Sequence, residues 1–222
     1  MINKFPVAKH MVNLGCGNVG HDDWINIDFG ALAFVNQHPW LKKIIFALHL
    51  APVVYQRPWP KNILFINLRN QFPFADNSLD FVYSSHFIEH IQTYEVIALF
   101  KQCYRALKPG GIMRIATPDL EVIARQYLAD SDPINRVEVI NDHFWGLVEH
   151  TNTAPSLHER ILTWFARGHQ WMYNYEYFKK ILILAGFDQA KIVKCAYRQG
   201  QTPNLDFLDR HPDHTIYVEV TK

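Results

Sequence analysis

Residues 11–28, MVNLGCGNVGHDDWINID, constrain this chain more than any other stretch. Met11, Val12 and Leu14 form a short apolar run that reads as a buried strand. Gly15-Cys16-Gly17 follows at once. Two glycines one residue apart at a strand end remove the Cβ atoms that would keep a ligand off the backbone. A second apolar run, Trp24, Ile25 and Ile27, ends at Asp28, whose carboxylate is placed to accept hydrogen bonds from a ribose diol. Alone, Gly-x-Gly would read as a tight turn. With Asp28 closing the next strand, a nucleoside site is the better reading.

The chain beyond alternates between strands and helices. Residues 63–66 are a predicted third strand that runs into Asn67-Leu68-Arg69, and 79–83 a fourth. Ser84 and Ser85 are placed to cap a helix reaching about Leu107, with Glu89 at a spacing compatible with a capping box. Ile91, Val96, Leu99, Phe100 and Cys103 would be its core positions, and Lys108-Pro109-Gly110-Gly111 its end. Residues 112–116 read as a fifth strand, and Thr117-Pro118-Asp119 as the start of the next helix. Residues 173–184 read as a helix closed by Ala185-Gly186-Phe187. Two last strands, 191–197 and 215–220, have no predicted helix between them and should pair antiparallel at the sheet edge. This order is that of an α/β doubly wound sheet. Ligands of such sheets sit outside the carboxyl ends of the strands, where the Gly15 loop, Asp28, Asn67 and Ser84 to His86 converge.

Two segments interrupt the alternation. Residues 29–62 are an apolar insertion after the second strand. Within it Leu41, Ile44, Ile45 and Leu48 share one helix face, Pro39 suits a first turn and Pro52 closes the segment. Either this helix is buried on the domain, or residues 31–51 form an apolar lid or peripheral membrane contact with Trp40, Phe46 and Trp59 as anchors. Residues 130–170 hold Trp145, Trp164, His143, His150, His158 and His169 with few turn glycines, and read as an inserted helical cap.

Composition narrows the function classes. At 222 residues and 49% hydrophobic, residues 1–222 suit one domain with a sizeable core. A net charge of +1 without a basic run gives no case for nucleic acid. Three cysteines without a CxxC pair suit a reducing compartment, and MINKFPVAKH lacks the apolar core of a signal peptide, so a cytoplasmic location is expected.

With these motifs in place, the chain resembles the class I S-adenosylmethionine-dependent methyltransferases. The resemblance rests on NLGCGN, WINID, FPFADNSLDFVYSSHFIEHI, LKPGGIMRIATPD and YFKKILILAGF, which together span most of the chain outside the two insertions. The pattern is most similar to a bacterial subgroup associated with surface polysaccharide or glycolipid pathways. The resemblance implies a Rossmann-like, doubly wound seven-stranded sheet with the last strand antiparallel and S-adenosyl-L-methionine as cofactor. It also implies roles for individual residues. Leu14, Gly15, Cys16 and Gly17 would lie against the methionine part, Asp28 would hold the ribose hydroxyls and Asn67 would meet the adenine amino group, with Phe29 and Leu68 as further cofactor-binding residues. Ser85 and His86 would lie beside the sulfonium. Asn67 stands where relatives often carry an acid, and Asn18-Val19 replaces the usual third glycine. The acceptor implied is an oxygen of a sugar, glycolipid or other small molecule.

Other readings compete at specific residues. His86-Phe87-Ile88-Glu89-His90 matches H-x-x-E-H, a zinc-peptidase pattern whose two histidines would share a helix face. Because the methyltransferase pattern already accounts for this segment, no metal is expected. A methyltransferase-like domain that binds cofactor or partner without turnover is the other alternative. A dinucleotide oxidoreductase lacks its G-x-G-x-x-G. For the general base, His86 ranks first and His169 second, with His90 a candidate that also suits a structural place under the helix. Cys16 reads as a small residue filling a loop, and Trp145, Trp164 and Trp171 as core.

Overall fold

The computed structural model describes residues 10–50, 59, 60, 62–70, 72–145 and 168–222, with the side chains of 142, 144 and 145 excepted. Seven strands form one sheet in the order β3-β2-β1-β4-β5-β7-β6. The strands are β1 (Met11–Leu14), β2 (Ile25–Asp28), β3 (Ile63–Phe65), β4 (Leu79–Ser85), β5 (Leu107–Pro118), β6 (Ile192–Cys195) and β7 (Thr215–Thr221). Neighbours among β1 to β5 pair in parallel, whereas β7 runs antiparallel to both β5 and β6. The doubly wound sheet with an antiparallel last strand is therefore present. The two last strands pair antiparallel at the sheet edge as expected, with β7 slotted between β5 and β6 and β6 outermost. The intervening 196–214 loop, which also carries a one-turn helix (Leu205–Leu208), folds back over the sheet.

The helices follow their sequence signals with informative exceptions. Helix α3 (Thr93–Ala106) begins later than Ser84-Ser85 suggests. Those serines continue the β4–β5 ladder, where Ser84 pairs with Ile115 and Ser85 with Ala116, so neither caps a helix. The capping box belongs to Gln92 and Glu95, each bonding the other's end of the first turn. Between strand and helix lies only a single 3-10 turn (Ile88–His90). Val96, Leu99, Phe100 and Cys103 of α3 are buried as expected, and Ile91 just before it is buried too. Asp119 caps α4 (Leu120–Ala129) through its side chain, while Thr117 and Pro118 end β5.

The insertions differ in kind. Residues 29–50 form two short helices, α1 (Ala31–Gln37) and α2 (Pro39–Ala47). Helix α1 buries Leu32, Ala33 and Val35, whereas α2 buries no residue. The expected apolar face is divided: Leu41 and Ile45 are half-buried, but Trp40, Ile44 and Leu48 are 63%, 48% and 58% exposed. In the second insertion α5 (Pro133–Trp145) is helical and packs on α4. Residues 146–167 of that cap, including His150, His158 and Trp164, lie outside the described residues. Helix α6 (Tyr175–Leu184) is capped by Asn174 and ends at Gly186. Among the described residues no helix is long and apolar enough to cross a membrane.

Candidate active site

The turn after β1 is built from β-strand ends and two left-handed glycines. Gly15 and Gly17 have φ of 62° and 52°, a region that residues with a Cβ enter at a cost. The two have different surroundings. A Cβ on Gly15 would lie 2.3 Å from Cγ of Phe87, so this glycine lets the Phe87 ring close over the loop. A Cβ on Gly17 would meet nothing within 4 Å, so that side of the loop is open. Gly15 thus clears space for protein, while the space beside Gly17 is open.

The loop is tied to the end of β2. Cys16 N–H donates to the Ile27 carbonyl (3.0 Å), and Gly17 N–H to Asp28 Oδ2 (2.8 Å). The other carboxylate oxygen, Oδ1, accepts from Gly30 N–H at 2.8 Å. Each oxygen keeps acceptor capacity for a further donor, which is what a ribose diol needs. Buried Asn13 on β1 donates from Nδ2 to the Val19 carbonyl (2.8 Å) and holds the far side of the loop. Leu14 is buried, and burial first, then the nearby Asp28, pushes the Cys16 thiol far above its ordinary value. Cys16 fills space and is not a nucleophile.

At the end of β3 the Asn67 side-chain oxygen accepts from Arg69 N–H at 3.1 Å, bracing its own turn and leaving one lone pair. Leu68 is buried in the main core, while Phe29 is half-exposed with its ring 4.7 Å from that of Phe65. Leu14, Gly15, Cys16, Gly17, Asp28, Phe29, Asn67 and Leu68 thus lie at the carboxyl ends of three adjacent strands.

Beyond β4 the chain takes an unusual path. His86 extends the ladder by donating its N–H to the Ala116 carbonyl (2.9 Å), yet has φ of 49°. Such a conformation in a residue with a bulky side chain marks a functional or strongly determined turn. It aims the His86 ring towards β7. There Nε2 lies 3.2 Å from Thr215 Oγ1, and the ring stands 3.8 Å from that of His211. Nδ1 lies 3.4 Å from Oε1 of Glu89, whose carboxylate is fully buried. Burial, then the rings of His211, His169 and His90, depress the His86 pKa to about 3. Burial raises that of Glu89 to about 8, against its Thr117 contact.

His90 faces elsewhere. Its ring packs edge-on against that of His169, centroids 4.9 Å apart, and burial followed by His90 lowers the His169 pKa to about 4. His90 also lines a cavity of about 450 Å³ together with Arg69, Gln92, Tyr94, Glu95 and Gln170. The H-x-x-E-H reading required His86 and His90 on one helix face. Instead, the left-handed backbone at His86 and the 3-10 turn after it send the two rings to different neighbours. For the same reason neither histidine gains from a helix N-terminus. Trp171 is 45% exposed and stacks beside Tyr177, so it is not core.

Several residues that matter here were singled out by no sequence signal. His211 and Thr215 lie outside the motifs, while Asn13 and Phe87 lie within NLGCGN and the 72–91 stretch without a role assigned to them.

The family model of the methyltransferase domain matches residues 12–115, the part holding β1 to β5 and the loops just described. No match is found among curated protein sequences. Among solved structures, an Archaeoglobus fulgidus S-adenosylmethionine-dependent methyltransferase is 16% identical, covering 100% of this chain and 89% of its own, with a TM-score of 0.50. One from Mesorhizobium loti is 18% identical over 99% of this chain and 94% of its own, TM-score 0.47. The methyltransferase SibL is 15% identical over 97% of this chain, TM-score 0.49. The chain spans about half of SibL's length (51%). The Archaeoglobus fulgidus likeness shows the fold, a Rossmann-like sheet of the class I methyltransferase kind, and the domain match implies S-adenosylmethionine as the cofactor. The open face of Gly17 and the spare acceptor capacity on Asp28 fit that group.

Proposed function

We propose that this chain transfers a methyl group from S-adenosylmethionine to an oxygen of a small acceptor, a sugar or glycolipid, in the cytoplasm. The cofactor, when bound, supplies an electrophilic methyl on a sulfonium. The chain's own residues bind, orient and deprotonate. Asp28 takes the ribose hydroxyls, the Gly17 side of the loop takes the methionine part, Phe29 and Asn67 face the adenine, and Ser85 and His86 adjoin the reacting centre. The observation that carries this reading is the joining of loop and ribose acceptor. Because Gly17 N–H bonds Asp28 Oδ2 at 2.8 Å, the two halves of a nucleoside site are held in one geometry before any ligand arrives. Such preorganisation supplies several kcal/mol of orientation to a displacement that asks little else of a protein.

His86 is the first choice for the proton acceptor. Its depressed pKa keeps the ring neutral at physiological pH and also makes it a weak base. Removing it should cost about a hundredfold in kcat, the low end for general-base catalysis. His169 is second and His90 third.

The test is native mass spectrometry of the purified protein, followed by assays with methyl-labelled S-adenosylmethionine and candidate sugars and glycolipids. A bound adenosyl ligand and label on an acceptor oxygen support the proposal. Cofactor binding without transfer to any acceptor class favours the inactive binding domain.

A further inference from the structure

The cluster around the 3-10 turn contains a group the methyl-transfer reading does not use. Glu89 is a carboxylate with no solvent exposure. Its Oε2 accepts from Thr117 Oγ1 at 3.4 Å, while Oε1 makes no hydrogen bond among the described residues and lies 3.4 Å from His86 Nδ1. A carboxylate removed from water is costly unless a cation or several donors compensate. The next residue, His90, and His169 from a segment 79 positions on, offer imidazole nitrogens on the other side. Potential ligand atoms of Glu89, His90 and His169 all lie within 4.8 Å of one another.

We propose that Glu89, His90 and His169 bind a divalent transition-metal ion, Zn²⁺ first among them. Two imidazoles and one carboxylate are a ligand set of open zinc and non-haem iron sites, which leave a position for an exogenous oxygen. Tetrahedral ligation at about 2.0–2.1 Å sets ligand atoms roughly 3.3 Å apart, so the three side chains need to close by about 1.5 Å at most.

The backbone is arranged to keep the three together. The Glu89 carbonyl accepts from Gln170 N–H (2.6 Å) and Trp171 N–H (3.3 Å). Gln92 Nε2 donates to Gln170 Oε1 at 3.0 Å, adding a second tie between the segments. His169, immediately before Gln170, is thereby fixed against the turn that carries its two partners. Thr117 supplies the outer contact that orients a ligating carboxylate. His90 also lines the 450 Å³ cavity, which gives an ion and an oxygen ligand a way in. This set excludes His86, so it is not the H-x-x-E-H zinc arrangement. The proposal does not depend on the methyl-transfer reading.

The experiment uses the full chain without a histidine tag, stripped with chelator and titrated with ZnCl₂ by calorimetry, with metal content measured after dialysis. One equivalent of zinc is expected for the wild type. His169→Ala and Glu89→Gln should each weaken binding at least tenfold, whereas His214→Ala, outside the set, should leave it unchanged. Replacing Zn²⁺ by Co²⁺ should give visible d–d bands that His169→Ala abolishes. Circular dichroism identifies any variant that fails to fold, and the His90→Gln variant then takes its place. No stoichiometric zinc in the folded wild type, or full binding in folded His169→Ala and Glu89→Gln, overturns the proposal.

Discussion

The imidazoles of His86 and His211 lie against each other, ring centroids 3.8 Å apart, with Thr215 Oγ1 3.2 Å from His86 Nε2. The adjacent His211 ring disfavours protonation of His86. Burial adds to this and leads the causes that bring His86 to about 3, with His211, His169 and His90 next. The Glu89 carboxyl group, 3.4 Å from its Nδ1, does not reverse the shift.

That relationship has a sign for stability. Below the ordinary value of about 6.5, the unfolded chain takes up a proton at His86 that the folded chain refuses. Stability from this group is therefore complete above 6.5 and falls as the pH drops towards 3. At about 1.4 kcal/mol per pH unit, the wild type should lose roughly 2–3 kcal/mol from His86 between pH 7 and 4.5. His86→Asn removes the titration and tolerates the left-handed backbone. Urea unfolding at the two pH values should show a smaller acid loss in the variant. Equal losses in both proteins would contradict the assignment.

A second prediction concerns Arg114, which is buried inside the sheet. Its guanidinium bonds Asp209 Oδ2 at 2.6 Å and Glu219 Oε1 at 3.3 Å, and it donates to the Gln199 carbonyl at 2.9 Å. Tyr83 OH donates to Asp209 as well. This knot holds the 196–209 part of the loop onto β5 and β7. Arg114→Met leaves two carboxylates without their cation, and breaking such a buried pair costs about 3–5 kcal/mol. The melting temperature should fall by roughly 10 °C, since a chain of this size loses about 2–4 °C per kcal/mol. A change under about 2 °C would mean that the loop is held by other contacts.

The exposed stripe of α2 yields a third. Trp40, Ile44 and Leu48 are spaced four apart and all more than 40% exposed. If residues 31–51 touch a membrane surface, replacing the three by serine abolishes liposome association and leaves cofactor affinity and melting temperature nearly unchanged. Unfolding of the triple variant would instead show that the segment is held by packing, and the peripheral contact would be withdrawn.

Much of this fold was legible because its signals are local. The strands β1, β2, β4 and β5 announce themselves as short apolar runs between glycines and polar turns, and Asp28 stands where the strand ends. Ser84 and Ser85 misled because they have the chemistry of a helix cap, while pairing with Ile115 and Ala116 carried the strand through them. The order of the last two strands was not legible either. It depends on the 196–214 loop, whose anchors Asp209 and Glu219 lie 95 and 105 residues from Arg114. In the site, Asp28 and the glycines could be found by motif. The separation of His86 from His90 could not, since it follows from one left-handed residue and a 3-10 turn.

The proposed cofactor site centres on Asp28, whose two oxygens already hold Gly17 and Gly30. Calorimetric titration of the wild type and Asp28→Ala with S-adenosylmethionine and S-adenosylhomocysteine tests it most directly. Both ligands share the ribose, so both should weaken together in the variant. Charge-assisted bonds of this kind contribute about 1.5–3 kcal/mol, which is roughly a tenfold to hundredfold loss. Binding of both ligands to the wild type with that parallel loss is the predicted result. Unchanged affinity in a folded Asp28→Ala protein, or no binding to the wild type, would contradict the cofactor site described for this chain.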